Sequence, residues 1–414
     1  MEYPKFAKVR QVFSRDRITD PGGAVAAALA AAGPEKHFKA GERIAIAVGS
    51  RGIANLPAMV RAVADCLKSL KTWPFIVPAM GSHGGATAAG QIEVLASLGI
   101  TEASIGVPIV SSMDVVELGK TANGATAYID RSAWEADGIV VLNRVKPHTR
   151  FKADNESGLM KMVAVGLGKE AGCSQMHACG LYPTIIQAAR LALAKAPIRL
   201  GIGIVENSYD QTAVVRVASH DDIEAVDREL LVLAKSLMPK FPLDKIDVLV
   251  VKEMGKNISG TGMDVNVLGR VSQPVVNDED LPRIERIVPL SLTEESHGNA
   301  LGVGLGDVVP RCLVNQIDWQ ATYKNVIAAG VLDRAKLPLV AENDREALSI
   351  AIRSLGLAPA KARIIFIQNT LTLDQLIVSA PVYREIAGQP AVVTEQDGLS
   401  LKFDAAGNIP DEWW

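Results

Sequence analysis

Histidine is scarce in this chain of 414 residues, with six in all: His37, His83, His148, His177, His220 and His297. Its ordinary pKa lies nearest neutrality, so a histidine placed at a strand end is a candidate acid or base. His83 lies in Met80-Gly81-Ser82-His83-Gly84-Gly85-Ala86-Thr87, where Gly84 and its neighbours let backbone approach a ligand closely. A helix beginning near Ala86 aims its N-terminus at the same place and favours an anion. The plainer reading is a tight turn with an exposed histidine. His148 lies in Arg144-Val145-Lys146-Pro147-His148-Thr149-Arg150. Pro147 fixes the local chain direction. Arg144, Lys146, Arg150 and Lys152 surround the histidine with positive charge, which suits a carboxylate or phosphate and equally suits a solvated basic loop. Lys161 is a lone lysine in Ser157-Gly158-Leu159-Met160-Lys161, inside an apolar segment that runs to Leu167. Such a lysine is paired, neutral or covalently used, or it snorkels to water past Met160 and Met162. His177 reads first as a satisfied histidine near a helix start and second as a metal ligand. Arg51, in Val48-Gly49-Ser50-Arg51-Gly52, either forks onto a phosphate or carboxylate or is an exposed turn arginine. His37 reads as exposed, His220 as the start of a surface helix beside Asp221 and Asp222, and His297 as part of a glycine-flanked loop.

These residues need strands and helices to position them. Apolar runs at Arg43–Val48, Phe75–Pro78 and Gly138–Leu142 predict strands, and Leu56–Leu70, Ala86–Leu98 and Tyr182–Ala194 predict helices. That alternation implies parallel β-α units, in which ligands bind outside the carboxyl ends of strands. Arg51, His83 and His148 all follow such ends. Val115–Ile129 predicts a hairpin around Asn123-Gly124, and the Ala-rich run 24–32 a buried helix. Two prolines mark a break over Met238–Asp244. Beyond it come a strand at Ile246–Val251, a glycine-rich loop at Gly255–Asp264, helices near 318–330 and 343–356, and a strand at Ala362–Ile367. The expected architecture is α/β: two α/β domains, 1–240 and 241–414, with largely parallel sheets and an active-site cleft between them.

Composition narrows the function classes. Forty-three basic against 46 acidic residues give a net charge of −3, so no basic field points to nucleic acid. No run of apolar residues is long enough to span a membrane, and no secretory leader is visible at the start. Cys66, Cys173, Cys179 and Cys312 form no C-x-x-C pair and no disulfide framework, so a reducing cytoplasm is the expected setting.

His83, His148, Lys161 and His177 follow one another at intervals of 65, 13 and 16 residues, with Ser-Gly-x-x-Lys around the lysine. In that order they resemble the nickel-dependent lactate racemases and their wider group of 2-hydroxyacid racemases and epimerases, over about residues 40–200 and more weakly through the glycine-rich loop. The resemblance implies a nickel-pincer nucleotide, a pyridinium mononucleotide with two sulfur-bearing arms gripping nickel, covalently attached at Lys161. It implies His177 as the nickel ligand, His83 and His148 as the acid/base pair, and Arg51, Ser50, Gly84 and Gly158 around the cofactor. Lys256, Asp264, Asn266, Arg270 and His297 would lie towards the substrate, with Arg270 or Lys256 supplying positive charge. The implied partners are a small 2-hydroxyacid and the proteins that make the cofactor.

The expected activity is racemisation or epimerisation by transient hydride transfer. The alternatives are an oxidoreductase or lyase using the same cofactor, or a non-catalytic ligand- or metal-binding homologue. Departures are specific. Lactate racemases carry Asp-x-Thr-Arg-Pro where this chain has Val48-Gly49-Ser50-Arg51-Gly52, and the interval from His148 to Lys161 is longer. Asp264 and Asn266 are kept, but Leu268, Gly269 and Ser272 replace a Tyr, a Gln and a Lys. The expected substrate is therefore a hydroxyacid other than lactate.

Overall fold

The computed structural model describes residues 2–50, 52–270 and 281–414. Arg51 and Ser272, both singled out above, lie outside the described residues. The chain forms two compact units: Ser14–Met238, and the residues up to Phe13 together with Pro239–Trp414. An N-terminal domain running from residue 1 is thus corrected. The opening strand β1 (Lys5–Gln11) pairs with strands from the far end of the chain.

In the unit Ser14–Met238 the strands are β2 (Arg43–Val48), β3 (Trp73–Pro78), β4 (Val115–Lys120), β5 (Thr126–Asp130), β6 (Gly138–Arg144), β7 (Ile198–Glu206) and β8 (Thr212–Ser219). Among the described residues they make a sheet of order β3-β2-β6-β7-β8, parallel except for β8. β4 and β5 form an antiparallel hairpin about Asn123-Gly124, where Gly124 takes φ 87°. The central strands β2 and β6 are apolar through Ile44–Val48 and Ile139–Leu142 because both faces are covered there. Ala45, Ala47, Val77, Ile139 and Val141 enter one core, while Ile44, Ile46, Val48, Ile76, Val140 and Leu142 enter the other.

The helices of this unit are α1 (Pro21–Ala32), α2 (Leu56–Ser69), α3 (Ala88–Ser97), α4 (Lys169–Ala178), α5 (Leu181–Lys195) and α6 (Ile223–Leu237). α2 covers the second core with Leu56, Met59, Val60, Val63 and Leu67. α5 covers the first with Ile185, Ala188, Ala189 and Ala192. The Ala-rich run does not make the buried helix its composition predicts: α1 buries only Pro21, Val25 and Leu29 and leaves Ala26, Ala27, Ala30 and Ala31 exposed. Alanine has high helix propensity wherever it lies, so a run of it specifies a helix without specifying burial.

In the other unit the strands are β9 (Lys245–Met254), β10 (Arg283–Leu292), β11 (Val308–Pro310), β12 (Leu339–Ala341), β13 (Ile364–Ile367), β14 (Gln375–Ser379) and β15 (Val392–Ser400). Its large sheet runs β10-β9-β13-β14-β1-β15. The β10-β9-β13 half is parallel and the β14-β1-β15 half antiparallel. Among the described residues no helix is long and apolar enough to cross a membrane, and the four cysteines are free thiols.

Candidate functional site

The loop leaving β3 carries His83, and the loop leaving β2 carries its partner: Ser50 Oγ is hydrogen-bonded to His83 Nδ1. His83 is exposed. The loop holds its shape through Gly84, at φ 67°, where a Cβ would stand 2.5 Å from the Gly90 carbonyl carbon. Gln91, fully buried on α3, donates from its side-chain amide to Gly81 O at 2.9 Å and to His83 O at 3.4 Å. Behind Gln91 lies a group the sequence did not flag. Lys169 is fully buried; its Nζ donates to Pro78 O at 2.6 Å and Gln91 Oε1 at 3.0 Å, and stands 3.1 Å from Asp130 Oδ2. Burial pushes the lysine pKa down and the Asp130 pKa up, and each partner's charge opposes the shift. This pair ties the end of β3, the hairpin and the His83 loop into one block.

Lys161 ends a short helical turn (Leu159–Lys161) that passes into a π-helical turn, Met162–Gly166. Single π-turns are frequent at functional sites. The Lys161 side chain is half-buried. The two loops described above pack directly on this segment. A Cβ at Gly49 would stand 2.9 Å from Met162 Cε, a Cβ at Gly81 would stand 3.4 Å from Val165 Cγ1, and Ser82 Oγ lies 3.8 Å from Cys173 Sγ.

The turn is gripped at its start by a second unflagged residue. Asp227 of α6 is 1% exposed; its carboxylate accepts from Leu159 N at 2.6 Å and Asn155 Nδ2 at 3.0 Å, and from the Met160 backbone. Burial pushes its pKa up to about 6 against the pull of these donors. Gly158 is required here because a Cβ would lie 1.9 Å from Asp227 Oδ1. The signal for Asp227 was legible: it occupies a core position of the α6 stripe Ile223, Asp227, Leu230, Leu231 and Ala234. A charged group there is rare unless it is used.

His148 is 7% exposed, and Phe151 stacks on its ring with centroids 4.3 Å apart and planes 29° apart. Its backbone N–H donates to Glu156 Oε2 at 2.6 Å, and its Nδ1 accepts from the Arg150 backbone N–H at 3.0 Å. The Arg150 side chain reaches His177, with Nη1 3.1 Å from Nδ1. One residue therefore joins both imidazoles. Burial, then the charges of Lys161, Arg150, Lys146 and His177, hold the His148 pKa down at about 2. Burial followed by Arg150 and Lys161 lowers that of His177, which ends α4. The expected ring of four cations around His148 is corrected. Arg144 is ion-paired with Glu206 and lies 3.8 Å from Asp210, and Lys152 lies 4.0 Å from Glu156. Among the residues the sequence marked, Ser50, His83, Gly84, His148, Gly158, Lys161 and His177 belong to this one unit and to segments in contact or electrostatically coupled. His220 is a structural residue, its Nδ1 2.7 Å from Ile198 O, and His37 is half-buried rather than exposed.

Residues 16–185, which carry Ser50, His83, Gly84, His148, Gly158, Lys161 and His177, match the family model of the lactate racemase N-terminal domain. Over that stretch, less than half of its length, the chain is similar to the lactate racemase N-terminal domain. The lactate racemase apoprotein from Thermoanaerobacterium thermosaccharolyticum is similar in structure over 86% of this chain and 93% of that one, with a TM-score of 0.51 and 15% sequence identity. The likeness is one of fold: α/β with mostly parallel sheets. No curated protein matches the sequence.

The other marked residues lie in the second unit, and most have structural contacts there. Lys256 Nζ donates to Gly260 O at 3.0 Å within its loop. Asp264 caps the turn Val265–Leu268 and accepts from Asn266 N at 2.8 Å and Asn266 Nδ2 at 3.1 Å. His297 closes a short turn at φ 46°. Arg270 is 2.7 Å from Asp307 Oδ2 and donates to Leu305 O, so its charge is matched internally.

Proposed function

We propose that this protein is a racemase or epimerase of a 2-hydroxyacid other than lactate, working through a nickel-pincer nucleotide tethered at Lys161. The observation that carries this reading is the coupling of Lys161, His148 and His177 through Arg150 and the Lys161 charge, beside the Ser50–His83 pair. The donor set fits such a group. Lys161 offers an amine at the mouth of an apolar segment, and His177 offers one imidazole within its electrostatic reach. Among the described residues no three His, Cys, Asp or Glu side chains are gathered to hold a metal. A metal here would therefore take most of its ligands from an organic group. Arg150 must release His177 Nδ1 for that imidazole to bind a metal, because either ring nitrogen can ligate only after the guanidinium contact shifts.

When bound, the group supplies a hydride acceptor, which suits an α-hydrogen too weakly acidic to leave as a proton. The chain supplies the rest. Imidazoles at 83 and 148 attend the substrate hydroxyl, Lys146 and Arg150 offer charge to a carboxylate, and Asp227 and the Lys169–Asp130 pair fix the segments that carry these groups. The test is the intact mass of protein from cells that make the cofactor. An adduct on Lys161 with an equimolar amount of nickel is expected. It is lost in Lys161→Ala and kept in His83→Ala, which loses turnover. An unmodified Lys161 under those conditions overturns the reading. Scrambling of α-deuterium between enantiomers without release of oxoacid separates an isomerase from net oxidation.

A further inference from the structure

A pair of imidazoles serving opposite faces of one substrate should be equivalent, and here they are not. A backbone N–H can only donate, so the bond from Arg150 N makes His148 Nδ1 an acceptor. The neutral ring must then carry its proton on Nε2. This arrangement is built in. The His148 main chain is anchored on Glu156, whose side chain is fully buried and 2.8 Å from Lys235 Nζ, and Phe151 covers one ring face. The imidazolium form would need a second proton at the nitrogen that already faces an N–H. The charges facing the ring are the cations of Lys146 and Arg150 on its own loop and of Lys161 on the neighbouring turn, with His177 on α4; Glu156 is neutralised by Lys235 and Lys152. His83 differs in its exposure and in the partner of its Nδ1. It is exposed, and its Nδ1 meets a hydroxyl that can donate or accept, so either tautomer and the charged form are accommodated.

We propose that the labour is divided: His148 is fixed as the Nε2–H tautomer and donates a hydrogen bond to a substrate oxygen, while His83 alone accepts and returns the hydroxyl proton. The catalytic part rests on the reading above; the tautomer does not. As the O–H bond breaks, its proton passes to His83, the oxygen's pair forms the carbonyl, and the α-hydrogen leaves with its own pair to the hydride acceptor. On return the same proton goes back from His83 to oxygen, and both rings end as they began. Inversion then requires the oxoacid to turn about its C=O axis, exchanging carboxylate and side chain while the oxygen keeps its place at His83.

The first test uses isotopically labelled histidine nitrogens in the full chain, with long-range proton–nitrogen correlations assigned by His→Gln variants. Between about pH 5.5 and 8.5, where an ordinary histidine titrates, His148 is expected to show a bare Nδ1, a protonated Nε2 and no titration. The second test compares variants in cofactor-loaded protein. A glutamine amide can donate from the Nε2 position but cannot shuttle a proton. His148→Gln is therefore expected to lose at most about tenfold in α-hydrogen exchange, and His83→Gln at least about a hundredfold, the range of general acid-base catalysis. Titration of His148 in that window, a proton on its Nδ1, or equal losses in the two variants would overturn the proposal. Absence of both adduct and exchange in the wild type removes the racemase reading instead, and the nitrogen spectra then decide the tautomer on their own.

Discussion

Replacing Asp227 by alanine removes the acceptor that starts the Lys161 turn. Three buried donors lose their partner: the Leu159 and Met160 backbone N–H groups and the Asn155 amide. Each buried donor left without a partner costs about 1–3 kcal/mol. With one of the three reaching water, the expected loss for Asp227→Ala is about 3–5 kcal/mol. Asp227→Asn keeps a carbonyl oxygen and removes the charge that burial disfavours, so at neutral pH it is expected to be at least as stable as the wild type. The two variants also differ in pH dependence. The folded carboxyl holds its proton up to about pH 6, whereas the unfolded one releases it near its model value of 3.8. Between those limits the folded state binds more protons, so this group's contribution to stability falls as pH rises through the window. At roughly 1.4 kcal/mol per unit, the fall is of order 3 kcal/mol, complete above pH 6 and absent below pH 4. Urea unfolding of the three proteins at several pH values reads both effects, and amide exchange over residues 158–166 shows whether the turn itself loosens. An Asp227→Ala protein as stable as the wild type at pH 7, or an Asp227→Asn protein with the same pH slope as the wild type, would refute the reasoning.

Lys169→Met strips a buried carboxylate of its cation, and breaking such a pair is expected to cost about 3–5 kcal/mol, read as a lowered thermal midpoint; adding Asp130→Asn should restore part of it. Arg150→Ala is expected to raise the His177 pKa, since the guanidinium beside Nδ1 disfavours the imidazolium, while His148 Nδ1 stays bonded because its donor is main chain. Nitrogen spectra across the pH range check both halves. Gly84→Ala places a Cβ 2.5 Å from the Gly90 backbone at φ 67°. It is expected to cost about 1–3 kcal/mol in urea unfolding and to change the His83 signals, and wild-type behaviour in both would count against the loop geometry.

Local pattern revealed what local physics decides. β2, β3 and β6 announce themselves because strands covered on both faces must be apolar throughout, and the β4–β5 hairpin because Asn-Gly suits a two-residue turn. His83, His148, Lys161 and His177 were visible because polar groups in glycine-rich or apolar settings are unusual. What stayed hidden depends on partners distant in sequence. Nothing near Lys5 says that its strand belongs beside residues 375–400. Lys169 follows a Gly-Leu-Gly run and looks like a helix-start lysine until Asp130, 39 positions earlier, is seen 3.1 Å away. Arg144 and Lys152 looked like members of a cationic ring because their counterions, Glu206 and Glu156, lie outside the motif.

The insertion of β1 between β14 and β15 sets an order on the making of this protein. Residues 5–11 leave the ribosome long before their sheet neighbours at 375–400; at about 5–20 residues per second that is a delay of roughly 20–80 s. The segment Ser14–Met238 can complete its own sheet meanwhile, with a loose tail ahead of it. A chain shortened at its start would leave β14 and β15 each with a bare edge facing a gap, a ready template for another polypeptide. Shortened versions of this protein are therefore expected to be lost to aggregation although every residue of the candidate site is intact.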